Sequence, residues 1–240
     1  MSLLNTITRL RSGLIVPPIE LIYTPHPVPH PYLPSTLSVL DSSFNPPTLA
    51  HLALANHTQS PSPKLLLLSI RNADKQLKSG DATYVQRIEM MIALAKEIEG
   101  GAAVGIIDEP TFVGKSKMLL EKFPGCRLTF LLGYDTLERF FDRKYYPGDM
   151  YTSLRKFFED DGSKVLCAKR SPGSYPSSSN PDLSSALEIF PVTMVDIGED
   201  VWALSSSEVR DAVKSGNQKW KRMVPPLVAE YIEKEGLYRE

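Results

Sequence analysis

Six short apolar runs, separated by stretches of helical spacing, constrain this chain more than any other feature it has. The runs are Leu37–Asp41, Lys64–Ile70, Val104–Asp108, Leu128–Leu132, Lys164–Ala168 and Val192–Asp196. Their length suits buried strands rather than helices. Between them the spacing predicts helices from about Leu49, over Ala82–Glu99, Lys115–Phe123 and Tyr151–Asp160, with Ser206–Ser215 and Pro226–Glu235 closing the chain. In Ala82–Glu99 the residues Val85, Ile88, Met91, Ile92 and Ala95 share one face. Strands and helices in this order imply an α/β protein, a doubly wound parallel sheet with helices on both faces. Ligands of such sheets lie beyond the carboxyl ends of the strands, where the strand order switches.

At 240 residues the chain is long enough for one such domain with a sizeable core. Residues 1–35 differ from the rest. They carry Pro17, Pro18, Pro25, Pro27, Pro29, Pro31 and Pro34, with His26 and His30 between them. Proline fixes φ and lacks an N–H, so this segment reads as an extended arm with a short helix over Thr6–Leu14, packed across a single domain of residues 36–240. His26 and His30, four apart in an extended arm, do not converge on one metal. Ser171–Ser185, dense in serine and proline, reads as a loop.

Composition excludes several functions. Hydrophobic residues make up 42% and charged residues 23%, as in ordinary soluble proteins. The formal net charge is −1, and no basic stripe interleaved with aromatics appears, which argues against nucleic-acid binding. Cys126 and Cys167 are the only cysteines, too few for a disulfide framework or a zinc site, and each is expected buried beside a strand. No protein-held metal is expected. No run reaches membrane-spanning length and no secretory signal is evident, so a cytoplasmic or nuclear location is expected.

The chemistry concentrates where the first run ends, at Asp41-Ser42-Ser43-Phe44-Asn45-Pro46-Pro47-Thr48-Leu49-Ala50-His51. A strand that breaks into a helix N-terminus leaves unpaired N–H groups and a positive dipole end at one spot, which suits a phosphate. His51, on the first turn, can add a hydrogen bond or a charge. A capped turn with a satisfied histidine is the plainer reading of the same residues. A second cluster is Ser205-Ser206-Ser207-Glu208-Val209-Arg210. As Ser-x-x-Glu it is a capping box, and as a hydroxyl run with an arginine it is a phosphate site. A third is Gly133-Tyr134-Asp135, where glycine at a strand end admits a ligand and a carboxylate can accept from ribose hydroxyls, or cap the next helix.

Taken together these residues resemble the nucleotidyltransferase superfamily, whose Rossmann-like fold the alternation above matches. Ser43-Phe44-Asn45-Pro46 with His51 is similar to the signature loop of nicotinamide mononucleotide (NMN) adenylyltransferases. Ser205-Ser206-Ser207-x-Val209-Arg210 is similar to that family's Ser-Ser-Thr-x-Ile-Arg motif, and Gly133-x-Asp135 to its Gly-x-Asp. The closing Val224-Pro225 to Tyr238 stretch also matches, and its expected role is structural. The combination looks most like a divergent fungal branch.

The resemblance implies ATP binding by Ser42, Ser43, Phe44, Thr48, His51, Gly133, Asp135, Ser205, Ser206, Ser207 and Arg210. It implies a catalytic set of His51, Arg210 and Lys75, and an NMN site using Asn45, Lys75, Arg87 and Phe112. Lys75 lies in Asn72-Ala73-Asp74-Lys75, with Lys78 close enough to exchange with it. Mg²⁺ is expected to accompany ATP, and nicotinate mononucleotide is the other acceptor in view. Ser42 stands where the family has glycine, Thr48 where many members have histidine, and Phe112 and Trp202 are the nearest aromatics for stacking the pyridine ring. A nucleotide-binding regulator, or a slow ATPase on the same fold, is the alternative reading.

Overall fold

The computed structural model describes residues 2–25, 35–57, 63–71, 80–169 and 181–239. Among them one sheet is formed by β1 (Ile19–Tyr23), β2 (Thr36–Asp41), β3 (Lys64–Ser69), β4 (Ala103–Ile107), β5 (Arg127–Leu132), β6 (Lys164–Ala168) and β7 (Val192–Val195). The order across it is β1-β4-β3-β2-β5-β6-β7. Strands β2 to β7 are parallel. The order reverses between β2 and β5, so the loops leaving these two neighbours diverge and open a crevice at their carboxyl ends.

The helices cover both faces, as expected of a doubly wound sheet. Alternation along each strand sorts the side chains. Leu40, Leu66, Leu68, Val104, Ile106 and Leu131 face one core, shared with α1 (Leu3–Arg11), α2 (Leu49–Asn56), α3 (Tyr84–Glu97), α8 (Ser206–Lys214) and α9 (Pro226–Glu235). Val39, Leu65, Leu67, Ile107, Phe130 and Leu132 face the other. That second core is completed by α4 (Phe112–Lys122), α5 (Tyr134–Phe140), α6 (Met150–Arg155) and α7 (Pro181–Ile189). Such two-sided burial is why the strands read as near-continuous apolar runs. Cys126 and Cys167 are buried free thiols. No helix among the described residues is long and apolar enough to cross a membrane.

Several elements depart from the expectation: α4 begins at Phe112 rather than Lys115, and α5 is not among the expected helices. The sheet gains an antiparallel edge strand, since β1 pairs with β4 in the opposite sense. Its neighbours Pro17, Pro18 and Pro25 are tolerated because a strand edge leaves N–H groups unpaired anyway. Helix α1 begins at Leu3 rather than Thr6, and its Ile7 and Leu10 enter the core. Residues 181–185, expected as loop, belong to α7, which starts on Pro181, a residue suited to a first helical turn. His26 and His30 lie outside the described residues.

Candidate active site

The loop after β2 is set by its own sequence. Thr48 is the N-cap of α2, in extended conformation. Its backbone N–H donates to His51 Nδ1 at 3.0 Å. A backbone N–H can only donate, so Nδ1 is the bare nitrogen and the ring proton sits on Nε2. Nε2 lies 3.0 Å from Ser42 Oγ. The ring packs against Phe44, centroids 5.4 Å apart. Burial pulls the imidazole down from 6.5 to about 4, so His51 is neutral at physiological pH and offers a hydrogen bond rather than a charge.

Several distant segments meet this loop. Arg210, on the first turns of α8, donates from Nη1 to Asn45 O at 2.6 Å and from Nη2 to Ser207 Oγ at 3.2 Å. Ser206 Oγ donates to Pro46 O at 2.7 Å. Ser205 forms the capping box with Glu208, its N–H reaching Glu208 Oε2 at 3.0 Å while its Oγ accepts from the Glu208 N–H at 3.2 Å. The capping-box reading therefore holds, and it points the start of α8 at the same crevice as the start of α2.

One cavity of about 910 Å³ lies over the carboxyl ends of the strands. Ser42, Ser43, Asn45, His51, Arg87, Phe112, Gly133, Asp135, Ser205, Ser206, Ser207 and Arg210 all border it. Among the described residues seven Lys and Arg line it against three Asp, in a chain whose formal net charge is −1, so this lining is cationic where the molecule is not. Among the described residues, nothing beyond its own chain neighbours lies within 4 Å of where a Gly133 Cβ would stand, so the strand end is open there.

Not every expected residue presents its side chain freely to the cavity. Phe44 and Thr48 are fully buried, both at 0% exposure, and their side chains do not border the cavity. Lys75, Lys78 and the rest of 72–79 lie outside the described residues. Asn45 borders the cavity but turns its amide inward. Its Nδ2 donates to Asp81 Oδ1 at 2.8 Å, and its Oδ1 accepts from Tyr238 Oη at 2.9 Å and from the Ala82 N–H at 3.3 Å. Arg87 is buried, at 6% exposure. Its Nε donates to Ala82 O at 2.9 Å, and Asp81 stands 3.7 Å away. Phe112 packs edge-on against Phe130 and Phe140, half core and half cavity wall. Trp202 borders the cavity, and its Nε1 donates to Asp196 Oδ1 at 3.1 Å.

Other residues of the wall carried little or no sequence signal. Asp41 and Lys115 form a buried ion pair, Nζ to Oδ2 2.5 Å. A carboxylate ending an otherwise apolar strand was the visible half of it. Arg71 holds Asp108 through two bonds, of 3.0 and 2.9 Å, at the lip of the cavity. Tyr145 and Tyr146 also border it.

No family model matches the sequence. A Schizosaccharomyces pombe protein, by name a candidate nicotinamide mononucleotide adenylyltransferase, is 32% identical over 205 residues, 78% of this chain and 80% of its own length. A protein of Anaeromyxobacter sp. (strain K), by name a candidate nicotinate-nucleotide adenylyltransferase, is 30% identical over 217 residues, 85% of this chain and 96% of that one. Among solved structures, the Plasmodium falciparum nicotinic acid mononucleotide adenylyltransferase complexed with APC superposes with a TM-score of 0.58 at 17% identity. It covers 85% of this chain and 96% of that chain, a likeness of fold.

Proposed function

This chain belongs to the nicotinamide- and nicotinate-mononucleotide adenylyltransferase family, and from that premise we propose that it joins ATP to NMN, giving NAD and pyrophosphate. The observation that carries the proposal is the shared crevice. His51 at the start of α2 and Arg210 at the start of α8 border one cationic cavity at the strand-order switch.

A phosphate oxygen of NMN attacks the α-phosphorus of ATP, a new P–O bond forms, and the bond to the β-phosphate oxygen breaks with pyrophosphate leaving. No nucleophile from the protein is needed, so catalysis lies in holding two anions in line and stabilising charge on the phosphates. His51 Nε2–H, released from Ser42, donates to the α-phosphate. Arg210 and the N-terminus of α8, with Ser206 and Ser207, hold the β- and γ-phosphates. Gly133 and Asp135 take the adenosine ribose. The acceptor then occupies the wall of Arg87 and Phe112, and Lys75, which lies outside the described residues, is proposed to contact it.

Among the described residues no group of three His, Cys, Asp or Glu could hold a metal ion. We propose that Mg²⁺ would accompany ATP as its counterion and would supply positive charge against the phosphates. No step assigned to this chain's residues runs through it.

Incubation of the purified protein with ATP, Mg²⁺ and NMN tests the reading. NAD and pyrophosphate formed in equal amounts are expected. Phosphate release without a dinucleotide would replace the transferase with an ATPase, and nucleotide binding without turnover would replace it with a regulator.

A further inference from the structure

Asp41 closes β2 one residue before Ser42, and alternation puts its side chain on the sheet face of Val39, the side covered by α4 and α5. Lys115, on α4, meets it there. Their side chains are 4% and 8% exposed for Lys115 and Asp41, Nζ lies 2.5 Å from Oδ2, and the same ammonium stands 4.9 Å from the centroid of the Phe112 ring. All three border the cavity.

A buried ion pair is a poor device for stability, because removing two charges from water offsets most of their attraction. Two apolar residues of similar size would serve a core as well or better. At the wall of a cavity, however, the pair sets a donor and an acceptor side by side in a low-dielectric surface with no net charge. An ammonium has three protons and a carboxylate several acceptor positions, so one mutual bond leaves capacity on each.

The position matters as much as the chemistry. Helices α2 and α8 pack into the core on the opposite sheet face, and they bring the phosphate-holding residues from that side. Phe112, with the Lys115 ammonium 4.9 Å from its ring centroid, borders the cavity as flat aromatic surface beside the pair, and Tyr145 and Tyr146 line the same cavity. A pyridine ring whose phosphate sits near Ser42 and His51 finds its stacking surface there.

We infer that the Asp41–Lys115 pair reads the substituent on the acceptor's pyridine ring and selects a neutral carboxamide over a carboxylate. This rests on the adenylyltransferase reading and deepens it. The carboxamide oxygen accepts from Lys115, and its NH₂ donates to Asp41. A carboxylate in the same place offers no donor to Asp41 and sets a second negative charge against it. Because Asp41 already neutralises Lys115, the pair itself adds no net positive charge at the ring substituent to draw the acid form in.

The test is kcat/KM for NMN and for nicotinate mononucleotide with saturating ATP. The wild-type protein is expected to prefer NMN by about tenfold or more, the scale on which a site rejects a ligand that leaves its polar groups unpaired. In Asp41→Asn the like charge is gone and Lys115 is released, so the preference should fall by about tenfold, mostly through a lower KM for the nicotinate acceptor. The ratio is measured on one preparation, so the folded fraction cancels. If Asp41→Asn fails to fold, the uncharged double variant Asp41→Asn, Lys115→Met replaces it and should lose the preference likewise. Equal use of both acceptors by the wild type, or an unmoved ratio in the variants, overturns the inference. A dinucleotide from neither acceptor overturns the adenylyltransferase reading itself, a different result.

Discussion

The Thr48 amide decides which nitrogen of His51 carries its proton, and burial decides that the ring carries only one. A depressed imidazole has a consequence for stability. Between pH 6.5 and about 4 the unfolded chain binds a proton at this ring and the folded chain does not. Stability contributed here is thus complete above 6.5 and is lost as the pH falls toward 4. Chemical unfolding across that window should show a slope that shrinks in His51→Ala, and the same variant should lose about 10²-fold in turnover, on the scale of one preorganised donor. A variant with near-normal turnover would remove His51 from the mechanism. Residues of this kind were legible in the chain because motif and local turn coincide. Phe44 and Thr48 were legible only as members of the motif, which does not say that their side chains point inward. Lys115 was illegible, since a lysine on a helix looks solvent-facing until its partner 74 positions away is seen.

Helix α4 carries both Phe112 and Lys115, and its start is held by a contact that only glycine permits. Thr111 caps it, its Oγ1 accepting from the Gly114 N–H at 3.1 Å. Glu109 Oε1 accepts from the Thr111 N–H at 2.8 Å. A Cβ at Gly114 would fall 2.3 Å from the Glu109 carboxyl carbon. In an open helix Gly→Ala stabilises by about 1 kcal/mol. Here the displaced carboxylate and the overpacking, about 1–3 kcal/mol, should win. Gly114→Ala is therefore expected to lower the unfolding midpoint in urea, and a raised midpoint would show that Glu109 moves aside freely. At this scale the six parallel strands and the two closing helices were readable to within a residue or two, because burial on both faces makes their apolar runs continuous. Strand β1 was hidden by the prolines around it, and α7 by a serine-rich approach. An edge strand and a helix opening on proline are the two contexts in which those residues do not break structure.

Across the whole molecule, the loop between β2 and α2 is steadied by parts of the chain that no local pattern connects to it. Asn45 is the meeting point: Asp81 and Ala82 reach it from the start of α3, Arg210 from α8, and Tyr238 from beyond α9. The Leu49 N–H at the start of α2 donates to Met223 O at 2.9 Å as well. Tyr238→Phe removes one buried bond and leaves Asn45 Oδ1 with the Ala82 N–H, so a loss of about 0.5–1.5 kcal/mol is expected. Assayed well below its melting temperature, the variant should keep its KM for ATP within twofold or so while kcat drops several-fold, on the scale of a misplaced reacting group. An unchanged kcat in fully folded protein would reduce Tyr238 to packing. Tyr238 was readable in the tail as a packing residue, and nothing in the spacing tied its hydroxyl to a loop 193 positions earlier. That long tether also orders events during synthesis. Domains assemble from the N-terminus as they emerge. A ribosome can therefore expose β2 and its loop long before the tyrosine that steadies them has left the exit tunnel. A nascent or clipped polypeptide lacking Tyr238 then carries the proposed catalytic His51 and Arg210 without the bond to Asn45 that steadies the loop between them.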